Sequence, residues 1–239
     1  MARRRGRRVL WWLLGSLAGV AIVIVGGTWL YIHVIEGPAP APLSLKQPGS
    51  STPSTPARSA ATASATVAGA WRVASGSLVG YRVNEVLAGQ NNVAVGRTSD
   101  VTGSMTIRGT SVTAATFSVP MDTIRSDESE RDAQFNGRIM ETATYPTGTL
   151  SLTTPIALRT LPPVGVIRTY TATGTLTLHG TTRTVTFGLQ AERTASGIEV
   201  SGSIPILFAR WNIGNPSFAG FVTTQNHGLL EFLIIFTRA

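Results

Sequence analysis

The chain contains no cysteine. That excludes disulfides, thiolate metal sites, a cysteine nucleophile and a lipid-modified N-terminal cysteine. An exported domain built this way is held by its core alone. Lysine occurs once, at Lys46, and charged residues make up only 13% of the chain. The formal charge is nevertheless +8, because Arg3, Arg4, Arg5, Arg7 and Arg8 crowd one acid-free end. From Trp71 to Ala239 there are 13 arginines and 11 acids, a net of 13 − 11 = +2. A nearly neutral domain offers no electrostatic footprint for nucleic acid, so none is expected as a partner. Histidine is scarce: His33, His179 and His227 are the whole set. No nucleophile-elbow motif accompanies them, and their spacing with the acids matches no metal-ligand signature. No catalytic residue and no metal are expected.

One long apolar run is present. Val9 to Ile35 is 27 residues without Lys, Arg, Asp or Glu. As a helix it reaches roughly 40 Å, against a bilayer core of about 30 Å. Trp11 and Trp12 mark one end, and Trp29 and Tyr31 the other, as interfacial aromatics do. The five arginines hold residues 1–8 on the cytoplasmic side. A cleaved signal peptide carries an apolar region of about 7–15 residues ending in small residues, which this run does not resemble. The sequence therefore predicts a single N-terminal transmembrane helix over 9–35, retained as an anchor in the cytoplasmic membrane. The rest of the chain would lie outside. Residues 36–70 are rich in Pro, Ser, Thr and Ala and poor in large apolar side chains, so they read as a disordered linker. Residues 71–239 are the outer domain.

That domain reads as β throughout. In Gly174 to Leu189 the apolar residues fall at every second place, at Leu176 and Leu178 and then Val185, Phe187 and Leu189, with threonine on the other face. Such alternation makes two half-buried strands, and Gly180 supplies the positive φ of a tight hairpin. Leu78 to Val86 alternates similarly, with Val79, Tyr81 and Val83 on one face. Asp100 to Arg108 and Thr113 to Met121 form a hairpin around Gly109-Thr110. Thr147 to Ala157, Ile167 to Leu178, Thr182 to Glu192, Gly197 to Phe208 and Gln225 to Thr237 complete the strands. Asp127 to Phe135 is the only helix-like run. Many strands, Gly-bearing turns and no βαβ alternation predict an antiparallel barrel or sandwich. The last strand is apolar on both faces from Leu229 to Phe236 apart from Glu231, so its outer face needs a cover, for which the short helix is the candidate.

The hairpin Gly174-Thr175-Leu176-Thr177-Leu178-His179-Gly180-Thr181-Thr182 resembles that of the YceI-like family of bacterial polyisoprenoid-binding proteins. Further pieces follow the family's order: Trp71 and Tyr81 in the leading strand, Met121-Asp122-Thr123-Ile124, Arg131-Asp132, Tyr145-Pro146, Arg210-Trp211-Asn212-Ile213-Gly214 and the closing apolar strand. Gln134 stands where the family usually has histidine, and Ile139-Met140 where an aromatic pair is common. The resemblance implies an all-β fold: an eight-stranded antiparallel lipocalin-like barrel with one short helix, enclosing an apolar cavity. It implies an isoprenoid-type lipid as partner and no cofactor beyond such a lipid or a quinone. Alternation then nominates a lining of Val79, Tyr81, Phe117, Met121, Leu150, Leu152, Leu176, Leu178, Phe187, Leu189, Phe232, Ile234 and Phe236. Arg125, Arg131 and Arg210, near strand ends, are candidates for a charged head group. Trp211, Phe218 and Phe221 are candidates for a mobile apolar lid. The resulting expectation is a membrane-anchored extracytoplasmic lipid-binding protein. A ligand-free envelope interaction or scaffold module is the second reading left open, because fold alone does not settle function.

Overall fold

The computed structural model describes residues 39–45, 67–87, 89–218, 220 and 222–239. The apolar N-terminal run and most of the linker lie outside the described residues. The strands are β1 (Gly69–Val73), β2 (Leu78–Leu87), β3 (Gln90–Thr98), β4 (Thr102–Arg108), β5 (Ser111–Pro120), β6 (Thr147–Thr154), β7 (Ile156–Ala157), β8 (Arg168–Leu178), β9 (Thr181–Arg193), β10 (Ile198–Leu207), β11 (Val222–Thr224) and β12 (His227–Arg238). Helix α1 (Ser129–Gln134) runs directly into a π-turn over Phe135–Ile139. Single 3₁₀ turns cover Met121–Thr123 and Phe208–Trp211.

Eight of these strands, in the order β1-β4-β5-β6-β8-β9-β10-β12, form a ring that closes because β12 also pairs with β1. Every pairing between named strands is antiparallel. The β2–β3 hairpin hangs on the first half of β12 and extends the wall there. Closure removes the exposed edges that an open sheet of this size would present.

The local chemistry dictates these elements. In β8 and β9, Ala172, Leu176, Leu178, Val185 and Phe187 are buried. Their neighbours point outward and join across the strands as hydroxyl pairs, Thr173 with Thr186 at 3.0 Å and Thr177 with Thr182 at 2.8 Å. The turn between them has positive φ at both His179 (+47°) and Gly180 (+68°), the two-residue geometry that matches strand twist. The barrel seam is fixed at Trp71, which pairs with both Met105 and Arg238. Its indole N–H donates to the Val67 carbonyl at 2.9 Å, and the Arg238 guanidinium lies 4.8 Å from its ring centre.

Four observations depart from the sequence reading. Residues 87–99 carry no assignment from pattern, yet Gln90–Thr98 is β3; its polar start, Gln90-Asn91-Asn92, hides the strand. The short strand β11 falls inside the stretch read as a loop. Val67 is buried and β1 begins at Gly69, so the barrel starts within the stretch read as linker. Residues 39–45, also in that stretch, are seated on the outside of the barrel.

That last segment bears on the cover of β12. Arg82 (β2) and Arg97 (β3) face outward and flank the buried Glu231 carboxylate. Arg82 Nε donates to Glu231 at 2.8 Å, and Arg97 Nη2 lies 3.7 Å from the other carboxylate oxygen. The same guanidinium groups reach the strap: Arg82 donates to the Pro40 carbonyl at 2.6 Å, and Arg97 donates to the Ala41 carbonyl. Leu45 is buried at the end of the strap. The outer face beside β12 is therefore covered here by residues 39–45 and not by α1. Helix α1 has no buried residue of its own, so it has no apolar face to lay on a strand. It lies instead across one end of the barrel.

Candidate functional site: an apolar cavity through the barrel

The barrel encloses a cavity of about 610 Å³. Its wall is made by residues of β2, β4, β5, β6, β8, β9, β10 and β12, and α1, the π-turn and several loop residues border its ends. All thirteen nominated residues, from Val79 to Phe236, line it. The parity read from sequence therefore has the correct phase in β2, β5, β6, β8, β9 and β12, where a one-residue slip would turn every side chain outward. Lining residues beyond the nominated set include Met105, Ile107, Val112, Ile204, Ile206, Phe208 and Phe135. For β10 the signal was present: Ile198, Val200, Ile204, Ile206 and Phe208 all share one parity. For Phe135 there was no pattern to read, because the π-turn that aims it inward breaks helical periodicity.

The two ends differ. At one end the cavity is bordered by α1, the π-turn, the end of β2 and the loop before β11. The Tyr81 and Phe135 rings stack there with centroids 5.1 Å apart. Burial holds the Tyr81 phenol far above its ordinary value, with the nearby Arg131 charge opposing. Gly96 makes room for this ring: a Cβ on Gly96 would sit 2.4 Å from it. Glu85, Glu128, Glu130, Arg131, Gln134 and Arg138 supply the polar part of this mouth. Arg138 donates to the Pro216 carbonyl at 2.8 Å and lies over the Phe218 ring at 5.6 Å. The opposite end is bordered by Leu158, Leu161, Pro162, Tyr170, Glu192 and Arg193.

The three head-group arginines do not converge. Arg131 lines the mouth, but it is paired with Asp127 and, at 3.5 Å, with Glu85. Arg125 is exposed outside the barrel wall, where it donates to the Ile124 carbonyl at 2.9 Å and its backbone bridges to Arg97. Arg210 is exposed, lies 5.8 Å from the Trp211 ring and does not border the cavity. Strand-end position alone carried no information about which way these side chains turn.

The lid residues separate similarly. Trp211 is 1% exposed and belongs to the 3₁₀ turn, so it is core and not a lid. Phe218 is 55% exposed and borders the mouth. Phe221 lies outside the described residues. His179 does not border the cavity either. Its Nδ1 lies 3.3 Å from the Trp211 carbonyl, its Nε2 3.5 Å from Glu141, and its ring meets Tyr145 edge-on at 4.5 Å. The histidine in the hairpin motif thus latches the turn to two neighbouring loops. His227 sits exposed beside Asn226 at 3.0 Å. Among the described residues no cluster of His, Asp and Glu is placed to hold a metal ion.

The family profile described as the YceI-like domain matches residues 71–234. The chain belongs to the YceI-like domain family. A polyisoprenoid-binding domain from Saccharophagus degradans, implicated in plant cell wall breakdown, has the same fold. It superposes with a TM-score of 0.59 at 17% identity, over 71% of this chain and 98% of that one. BcnA from Burkholderia cenocepacia superposes with a TM-score of 0.51 at 19% identity, over 65% of this chain and 95% of that one. No curated protein matches the sequence. At these identities the structural likeness establishes the YceI-like fold.

Proposed function

We propose that this YceI-like protein binds an isoprenoid-type lipid in its barrel and works as a membrane-anchored extracytoplasmic carrier. The carrying observation is the continuous apolar cavity inside a closed wall. Each CH₂ removed from water into such a tube stabilises the complex by about 0.8 kcal/mol, so a tail is held without specific polar contacts. The match to a polyisoprenoid-binding domain supports the same class of ligand. The charge-free run over residues 9–35 supports the anchor.

The mouth favours an uncharged head such as a quinone or a free prenol. Arg131, the nominated arginine that reaches it, already faces Asp127 and Glu85. Glu128 and Glu130 border the same opening and oppose a diphosphate. Tyr81, which lines the cavity, carries a phenol hydroxyl that can donate to a carbonyl or alcohol.

Native mass spectrometry of the protein purified from membranes tests this reading. One isoprenoid per chain is the expected result, with added quinone or prenol displacing it and prenyl phosphate doing so poorly. A barrel that arrives empty and takes up none of these lipids would overturn it in favour of a ligand-free interaction module.

A further inference from the structure

Glu231 is a carboxylate in an otherwise apolar strand, 4% exposed, on the side of β12 away from the cavity. Burying it is costly unless it is paired. The pairing is not confined to the barrel, because both partner arginines also bind main-chain carbonyls of the strap at Pro40 and Ala41. Three residues of one network thus clasp a segment lying only a few positions beyond the apolar run. Glu36, Gly37 and Pro38 alone separate Ile35 from Ala39, a reach of at most about 14 Å. The strap meets the barrel at its mouth end: Pro40 borders a small hollow with Arg125, Ser126 and Asp127, which lead directly into α1.

The exposed apolar side chains favour the same end. Among the described residues four large hydrophobic side chains are exposed: Val86 at 36%, Leu207 at 41%, Phe218 at 55% and Val164 at 55%. Val86 lies at the end of β2, Leu207 at the end of β10, and Phe218 at the cavity rim beside Arg138. Val164 is at the opposite end, bridged to Arg193.

We infer that the Arg82–Glu231–Arg97 clasp shortens the tether and holds the barrel with its mouth against the bilayer, where Val86, Leu207 and Phe218 touch lipid. Without the clasp the 35 residues of 36–70 would let the domain roam. With it, a lipid passes between bilayer and cavity without crossing water. The inference rests on the anchor of the proposed function, but not on the identity of the ligand. Carboxylates share the rim with the arginines, so docking is apolar and needs no anionic lipid.

The absence of cysteine makes the test direct. A fluorophore is placed by Gln225→Cys at the mouth end or by Thr110→Cys at the opposite end of the full chain. Each is reconstituted in phosphatidylcholine vesicles carrying a doxyl-labelled lipid. Quenching is expected to be several-fold stronger at 225 than at 110. Leu45→Asp, which ejects the strap while leaving Arg82 and Arg97 on Glu231, is expected to bring the two values together. Arg97→Ala is the second release variant, with circular dichroism confirming the fold. Equal or reversed quenching in the parent chain, recovery of the chain free of membranes, or no change on either release would overturn the inference. Lipid uptake by the detergent-solubilised protein, read in parallel, reports separately on ligand binding.

Discussion

Glu231 is the residue on which most depends outside the cavity. Its side chain is 5% exposed, facing the side chains of Arg82 at 14% and Arg97 at 23%. Removing one member of such a buried set leaves the others uncompensated. Glu231→Ala is expected to lower unfolding free energy by about 3 kcal/mol, measured by urea denaturation. Glu231→Gln, which keeps one acceptor, is expected to cost less. Tyr81 gives a prediction in pH. Its folded-state pKa is raised by burial above the ordinary value near 10. The folded phenol stays neutral while the unfolded one ionises, so its contribution is complete below about pH 10 and is lost as pH rises beyond that. Tyr81→Phe is expected to flatten the stability profile above pH 10 and leave it unchanged at pH 7, as read from thermal unfolding across that range.

Among the elements, the β8–β9 hairpin shows how a motif is structural before it is functional. Gly180 has a φ of +68°, and a Cβ there would sit 2.6 Å from the Tyr145 ring. Gly180→Ala is expected to cost about 1–3 kcal/mol through backbone strain and this clash, a fall of several degrees in Tm by calorimetry. His179, beside it, ties the turn to Trp211 and Glu141. The His179-Gly180 turn of this hairpin therefore marks a junction of three loops, while Leu176 and Leu178 of the same motif line the cavity. Helix α1 illustrates the reverse case. It looks like cover for a strand by sequence, but it buries no residue and runs into a π-turn that brings Phe135 onto Tyr81.

For the whole molecule the deciding quantity is the volume the barrel encloses. A barrel of eight strands is just wide enough to be filled by side chains or to hold one slender ligand. Here the small residues Ala115, Ala172 and Gly174 stand among larger ones in the lining of a cavity of about 610 Å³. Ala172, 2% exposed on β8, is the place to close it. Ala172→Phe is expected to abolish uptake of quinone or prenol, as read by native mass spectrometry. Because the ring projects into existing space, unfolding stability is expected to change by less than about 1.5 kcal/mol. A variant that remains folded and still loads lipid would show that the ligand lies elsewhere.

Period-two alternation was enough to determine the class of fold, most of the strands and which nominated residues share a strand face, because burial on one face of a strand leaves its mark in the chain itself; which face turns inward was decided by the folded barrel. The ordered motifs added the family and with it the strand number. Polar strands escaped: β3 begins Gln90-Asn91-Asn92 and is held by pairing with β2, a partner that local pattern does not report. The arginines escaped as well, since Arg125, Arg131 and Arg210 look alike in sequence and only packing turns one of them toward the mouth. Trp211 was read as a loop aromatic and is core, because the 3₁₀ turn folds it inward. Residues 39–45 looked like linker by composition, and it took Arg82 and Arg97 of the β2–β3 hairpin, brought against Glu231 of the distant strand β12, to give them a seat. Long-range ion pairs and side-chain direction at strand ends arise from the pairing of strands far apart in sequence, here β2 with β12, so only the tertiary structure decided them.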